Sequence, residues 1–217
     1  MLQPLVQLLY PPFCISCKTA GSSICINCKL QWQREIHHGR ISRTPLYFAR
    51  YYESTCSHLV LSAKESGNQV AKSILANAIL RSIAKAKADL KLHGIIGIIT
   101  IPSRASAIRS RGRDHIKDLA QLVVKAGKEI NLELVNLDLL RMTKKVKDQS
   151  MLNQAQRLLN ISGAYLALHP EVPINNLIII DDLITTGSSI QEAMRALSVI
   201  NLRPVAVATA CAVGAHL

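Results

Sequence analysis

The chain has 217 residues, which at roughly 100–200 residues per domain is room for one ordinary domain and a small appendage. Apolar residues make up 49% and charged residues 18%, enough for a core and too little charge for a disordered chain. Aromatics at 4% leave Leu, Ile, Val and Ala to build that core and argue against a base-stacking platform for RNA or single strands.

The formal charge of +12 is unevenly spread: residues 1–157 hold 24 of the 26 Lys and Arg, and the last sixty residues are mildly acidic. A basic front suits a polyanion, either nucleic acid or a phosphorylated ligand, with a merely solvated basic surface as the alternative. No apolar stretch reaches the roughly 18–20 residues that span a bilayer. Residues 1–10 are apolar but lack a basic flank and a small-residue cleavage site, so they do not read as a signal peptide. The expectation is a cytoplasmic protein without a membrane span.

The first motif in chain order is Cys14-x-x-Cys17 followed seven residues later by Cys25-x-x-Cys28. Each pair can fold as a knuckle that aims two thiolates at one tetrahedral Zn²⁺. So short a segment has little apolar mass, and metal coordination would supply the missing folding energy. Structural zinc is the reading; two disulfides, redox chemistry and an iron–sulfur site are the alternatives, against which the absent leader and the doubled motif argue. Cys56 and Cys211 stand alone in apolar segments and read as small buried hydrophobes. His37 and His38 read as exposed. The domain boundary is expected within 30–45, giving a four-cysteine module over 1–40 and an α/β domain over 41–217.

Residues 54–64 and 68–87 read as two helices separated by Gly67. The run 94–101 is apolar and β-branched, as a strand buried on both faces should be. An amphipathic helix over 114–130 follows, then a strand at 134–140, a short helix at 151–159 and a strand at 164–168. The last elements are a strand at 177–180, a helix at 189–200 and a strand at 205–211. This alternation predicts an α/β fold with a mostly parallel sheet flanked by helices.

The most informative stretch is 177–189, L-I-I-I-D-D-L-I-T-T-G-S-S. A buried strand ends at two adjacent carboxylates, and a loop of small residues then opens a helix. In an open α/β sheet ligands bind at that edge. Thr185, Thr186, Gly187, Ser188 and Ser189 offer hydroxyls and backbone N–H groups at the positive end of a helix, a cradle for phosphate. Carboxylates repel phosphate, so Asp181 and Asp182 suit sugar hydroxyls or a divalent cation instead. A Walker-type nucleotide site would need a G-x-x-x-x-G-K-[ST] segment, and the chain has none.

This stretch resembles the phosphoribosyl-pyrophosphate (PRPP) motif of type I phosphoribosyltransferases. The order of a four-cysteine module, Lys64 and Gly67, Ile101-Pro102, Arg111-Gly112, a basic segment after Leu140 and the D-D-x-x-T-T-G element resembles the competence ComF family of phosphoribosyltransferase-like proteins. The resemblance implies the type I phosphoribosyltransferase fold, ribose and Mg²⁺ at Asp181 and Asp182, and the 5′-phosphate at residues 185–189. It places Pro102, Ser103 and Arg104 in the pyrophosphate loop and brings DNA uptake as context. The family pattern P-V-P is here Thr100-Ile101-Pro102, and R-G-F-N-Q is Arg111-Gly112-Arg113-Asp114-His115.

The basic middle holds four arginines within 104–113 and Arg141, Lys144, Lys145 and Lys147 within 141–147. Arg104, Arg111, Lys144 and Lys145 are candidates for pyrophosphate or another polyanion, since cations there would stabilise the departing pyrophosphate. A nucleic-acid backbone, single-stranded DNA included, needs the same residues, and a solvated loop is the third reading. Two functions follow: a phosphoribosyl-transferring enzyme with no visible catalytic base, or an accessory module that keeps the site as a ligand sensor beside DNA-uptake proteins.

Overall fold

The computed structural model describes residues 11–143 and 160–214. A short helix α1 (Ile26–Gln31) leads into a hairpin of β1 (His37–Ile41) and β2 (Thr44–Tyr51), then helices α2 (Ser54–Lys64) and α3 (Gln69–Asp89). Strand β3 (Ile96–Thr100) is followed by α4 (Ala105–Arg111), α5 (His115–Glu129), β4 (Leu134–Leu137) and β5 (Leu140–Met142). The chain closes with β6 (Tyr165–Ala167), β7 (Asn176–Ile184), α6 (Ser188–Val199) and β8 (Ala206–Ala212).

Six strands form one sheet in the order β1-β2-β8-β7-β3-β4, parallel throughout except for the β1–β2 hairpin. Every residue of β3 and β8 is buried, the consequence of apolar runs covered on both faces. Ile96, Ile98, Ile178, Ile180, Ala206 and Ala208 face α2, α3 and α5, where Leu59, Leu75, Ile79, Ile83 and Leu119 complete the layer. Ile99, Leu177, Ile179 and Val207 face α6 and a β5–β6 hairpin, with Ile190, Leu197, Leu140 and Tyr165.

The connection after β3 runs outward to β4, whereas the one after β7 runs the other way to β8. The strand order therefore reverses between β3 and β7. Their C-terminal ends diverge there and leave the crevice in which open α/β sheets bind ligands.

Several expectations change. The strand expected at 134–140 is two elements: β4 ends in register with β3, and the chain turns at Asp138, which pairs with Lys117 and Arg141, before β5 starts a separate hairpin. The strand expected at 164–168 joins that hairpin as β6, outside the main sheet. The strand expected at 177–180 continues through both aspartates to Ile184, because β8 keeps pairing with it as far as Ala212. The stretch 104–113, for which no helix is expected, contains α4, which stops at Gly112 in the left-handed conformation (φ 66°). The β1–β2 hairpin was not expected; its two-residue turn has Ser42 at φ 56°, and β1 spans positions 40 and 41. The helix expected at 151–159 lies outside the described residues.

Candidate functional site

The four N-terminal cysteines converge. Cys14–Cys17 is a tight turn in which Lys18 N donates to Cys14 O (2.9 Å), with Lys18 at φ 64°. Cys25 caps α1, and Cys28 lies inside that helix. All four Sγ atoms lie within 4.8 Å of one another, and Cys17 and Cys25 are 3.6 Å apart. Four sulfurs about 2.3 Å from one ion at tetrahedral corners would lie about 3.8 Å apart, so the cluster can hold a metal such as zinc. All six cysteines are free thiols. Hydrogen bonding from Thr19 pulls the Cys17 thiol down to about 6, and burial pushes Cys28 up to about 12.

The cluster is fastened to the α/β body. Ser16 Oγ donates to Thr55 O (2.8 Å), and His58 Nδ1 lies 2.9 Å from Ser16 O. The Arg81 guanidinium donates to the carbonyls of Trp32, Gln33 and Arg34, and Trp32 is buried in the core. Cys56 and Cys211 are buried too.

At the crevice between β3 and β7 lies a cavity of about 300 Å³. Pro102, Ser103, Arg104, Arg111, Asp181, Asp182, Thr185 and Ser189 all line it. Next to it, Thr186, Gly187 and Ser188 join Asp181, Thr185 and Ser189 around a pocket of about 40 Å³. Gly187 caps α6 at φ 73°, and Thr186 Oγ1 lies 2.9 Å from Ser188 Oγ. Lys144 and Lys145 lie outside the described residues.

The strand parity sends the two aspartates to opposite faces of the sheet. Asp181 shares its side with Ser189 and remains partly open to the cavity. Asp182 turns toward the α2–α5 side and is buried, with Oδ2 at 3.2 Å from His115 Nε2 and 3.8 Å from Lys64 Nζ. Burial alone would push Asp182 up, but Lys64 and His115 outweigh it and hold it well below the usual carboxylate range. Burial and the neighbouring charge of Asp182 push Asp181 the other way.

The turn 111–115 ties this edge together. Arg111 forms a bidentate pair with Glu65 (2.9 and 2.8 Å). Arg113 donates to the carbonyls of Lys64 and Glu65, satisfying the end of α2. A Cβ on Gly67 would meet the Arg113 guanidinium carbon at 2.7 Å, and Gly67 sits at φ 65°, so this corner requires glycine. Asp114 accepts from Ser103 Oγ (2.8 Å), and His115 reaches Asp182.

Sequence reasoning did not place Lys64, Glu65, Arg113 or His115 in the site. Two signals were available: Lys64 beside Gly67, and the 111–115 segment, whose Arg113, Asp114 and His115 each hold a different part of the crevice. Comparison with known proteins adds no identification: no family model matches the chain, and no curated protein matches it.

Proposed function

We propose that this chain is a phosphoribosyltransferase-like protein of the competence ComF type, cytoplasmic, which binds PRPP at the C-terminal edge of β3 and β7 and carries a structural Zn²⁺ at Cys14, Cys17, Cys25 and Cys28. The observation that carries the reading is the convergence of three unlike parts on one crevice: the Pro102–Ser103–Arg104 loop, two carboxylates and the hydroxyl-rich start of α6. Phosphate fits the amides and hydroxyls of 185–189, sugar hydroxyls fit carboxylate oxygens, and the cations Lys64, Arg104 and Arg111 suit a pyrophosphate end. Mg²⁺ prefers oxygen donors, and the partly open Asp181 is the carboxylate that would help hold it and offset the charge of the pyrophosphate.

In that role the protein binds and positions. The helix start fixes the 5′-phosphate, Asp181 orients the ribose, and the cations stabilise the leaving group as its charge grows. Calorimetry with PRPP, with and without Mg²⁺, followed by a pyrophosphate-release assay, tests this. Micromolar binding is the expected result; no heat with PRPP or ribose 5-phosphate would refute the reading.

A second reading, an accessory protein that binds the ligand without turnover and serves single-stranded DNA or DNA-uptake proteins, is favoured by one observation. Arg111 and Arg113 are already engaged by Glu65 and by backbone carbonyls, which leaves fewer uncommitted cations for a departing pyrophosphate. Binding of PRPP without pyrophosphate release, with any acceptor offered, would select it.

A further inference from the structure

Glu65 caps the C-terminal end of α2 and is not among the described residues lining the cavity of about 300 Å³, whereas its neighbour Lys64 and its partner Arg111 both line it. The pair is held side-on, with Arg111 Nε 2.9 Å from Glu65 Oε2 and Nη2 2.8 Å from Oε1. That grip occupies one edge of the guanidinium. The edge made by Nη1 and the second N–H of Nη2 is another complete fork, the shape that takes two phosphate oxygens, and no acceptor among the described residues occupies it. Because the carboxylate stands outside the cavity wall and Arg111 is part of that wall, the unoccupied edge lies on the cavity side. The bond from Arg111, helped by the charge of Lys64, holds the Glu65 carboxyl below its usual range, so the grip persists at neutral pH.

The backbone beneath the pair is fixed by a separate side chain. Arg113 donates to the carbonyls of Lys64 (3.0 Å), Glu65 (2.9 Å) and Arg111 (3.4 Å), which ties the end of α2 to the end of α4. Arg113 thus spends its guanidinium on the fold, and Arg111 keeps one edge to offer. A free arginine has much rotamer freedom, and a ligand that must order it binds more weakly in consequence.

We propose that Glu65 is a positioning residue for polyanion binding: it holds Arg111 by one edge so that the other edge is preset for two oxygens of the pyrophosphate end of the ligand. Glu65 acts only through Arg111 and does not touch the ligand. Its own negative charge opposes the same ligand, but it stands behind the guanidinium, half exposed, where salt screens it. The preset geometry does not depend on salt, so the two effects have opposite signs and separate experimentally. This inference rests on the phosphoribosyl reading for the identity of the anion.

The test is calorimetry on the full chain with inorganic pyrophosphate and with ribose 5-phosphate, at about 0.1 M and about 1 M salt, between which the Debye length falls from about 10 Å to about 3 Å. At the higher salt Glu65→Ala should bind pyrophosphate about three- to tenfold more weakly than wild type and ribose 5-phosphate unchanged. At the lower salt the lost repulsion should shrink that difference. Glu65→Gln keeps one acceptor oxygen and should recover part of the loss. Arg111→Lys keeps the charge without the fork, so adding Glu65→Ala to it should change nothing further at the higher salt. If Glu65→Ala binds pyrophosphate at the higher salt as tightly as wild type or more tightly, Glu65 only repels and the inference is overturned. An equal loss for both ligands, the mark of a damaged fold, overturns it as well. Wild type that binds ribose 5-phosphate but not pyrophosphate sinks this inference alone. If wild type binds neither of these nor PRPP, the phosphoribosyl reading fails and takes this inference with it. Should Glu65→Ala not fold, Glu65→Gln decides by the same comparison, with a smaller loss of the same sign expected.

Discussion

Cys14, Cys17, Cys25 and Cys28 come from one stretch of fifteen residues, and a turn and the first turn of α1 are enough to bring their sulfurs within 4.8 Å. The cavity at the β3–β7 crevice is assembled differently. Lys64 comes from the end of α2, Pro102–Arg104 from the loop after β3, His115 from the start of α5, and Asp181 and Asp182 from β7. A local site has its geometry written in spacing, and its stability rests on whatever it binds. A dispersed site has its geometry written in sheet order, so the fold stands behind it even when it is empty, and its charged groups are held at a cost to the fold.

Removing the metal should separate the two most sharply. If the cysteines hold zinc, a chelator forfeits a binding free energy of order 10 kcal/mol in a segment with little core of its own. Hydrogen exchange should rise across 14–34, where the Ser16–Thr55, His58 and Arg81 contacts loosen, while β3, β7 and β8 stay protected. Because ligation needs thiolates and burial raises the Cys28 thiol, zinc uptake should release protons. Metal content near one equivalent per chain is expected, and protein lacking metal with unchanged exchange would contradict the contrast.

The second test sets neighbours against each other. Asp182→Asn leaves Lys64 and His115 beside a neutral amide that still accepts one hydrogen bond. With Lys64 about a third exposed, the loss should be about 2 kcal/mol. Asp182 is held below the ordinary aspartate value of 3.8, so its contribution is full above that pH and fades only as acid takes the pH below it. The variant should therefore lose the same increment across neutral pH and converge with wild type in acid. Asp181 has the opposite sign. Its value is raised, so whatever stability it contributes is present at low pH and lost as pH rises through the folded value. Asp181→Asn should melt higher than wild type at neutral pH and, if the cavity takes PRPP as proposed, bind it at least tenfold more weakly, since it removes the carboxylate open to the cavity. Denaturant melts from pH 3 to 8 with both variants read this, and equal destabilisation by the two would erase the distinction.

How much could be read in advance follows the same division. The cysteine spacing and the D-D-x-x-T-T-G-S-S run are contiguous, and the apolar strands of the sheet centre announce themselves by composition. The β1–β2 hairpin escaped because Thr44–Tyr51 mixes Pro45, two tyrosines and Arg50 without clean alternation, and its place beside β8 is a tertiary choice. The opposed aspartates escaped for another reason. Adjacent strand residues point to opposite faces, but ending the strand at Ile180 left both in a loop, and only its continuation to Ile184 gives each its own side. His115 and Lys64 are 67 and 118 positions from Asp182 in the chain, so no local pattern could pair them with it.

The smallest expected effect lies at the start of α6. Thr186 Oγ1 sits 2.9 Å from Ser188 Oγ and 3.5 Å from Ser188 N, and the pair rims the 40 Å³ pocket. Thr186→Val keeps the shape and the β-branched backbone preference while removing one hydroxyl from a partly exposed position. The fold should lose about 0.5–1 kcal/mol, the net contribution of one neutral hydrogen bond, here to the buried Ser188 hydroxyl. Binding should suffer more than stability. A phosphate seated against the helix start would lose one donor among several amides, weakening ribose 5-phosphate by about three- to tenfold while leaving pyrophosphate nearly unaffected. That selectivity is the useful quantity, since it assigns the two ends of the crevice independently of the aspartates. If pyrophosphate weakens as much as ribose 5-phosphate, the helix start is the pyrophosphate end, and the orientation of the ligand along β7 has to be reversed.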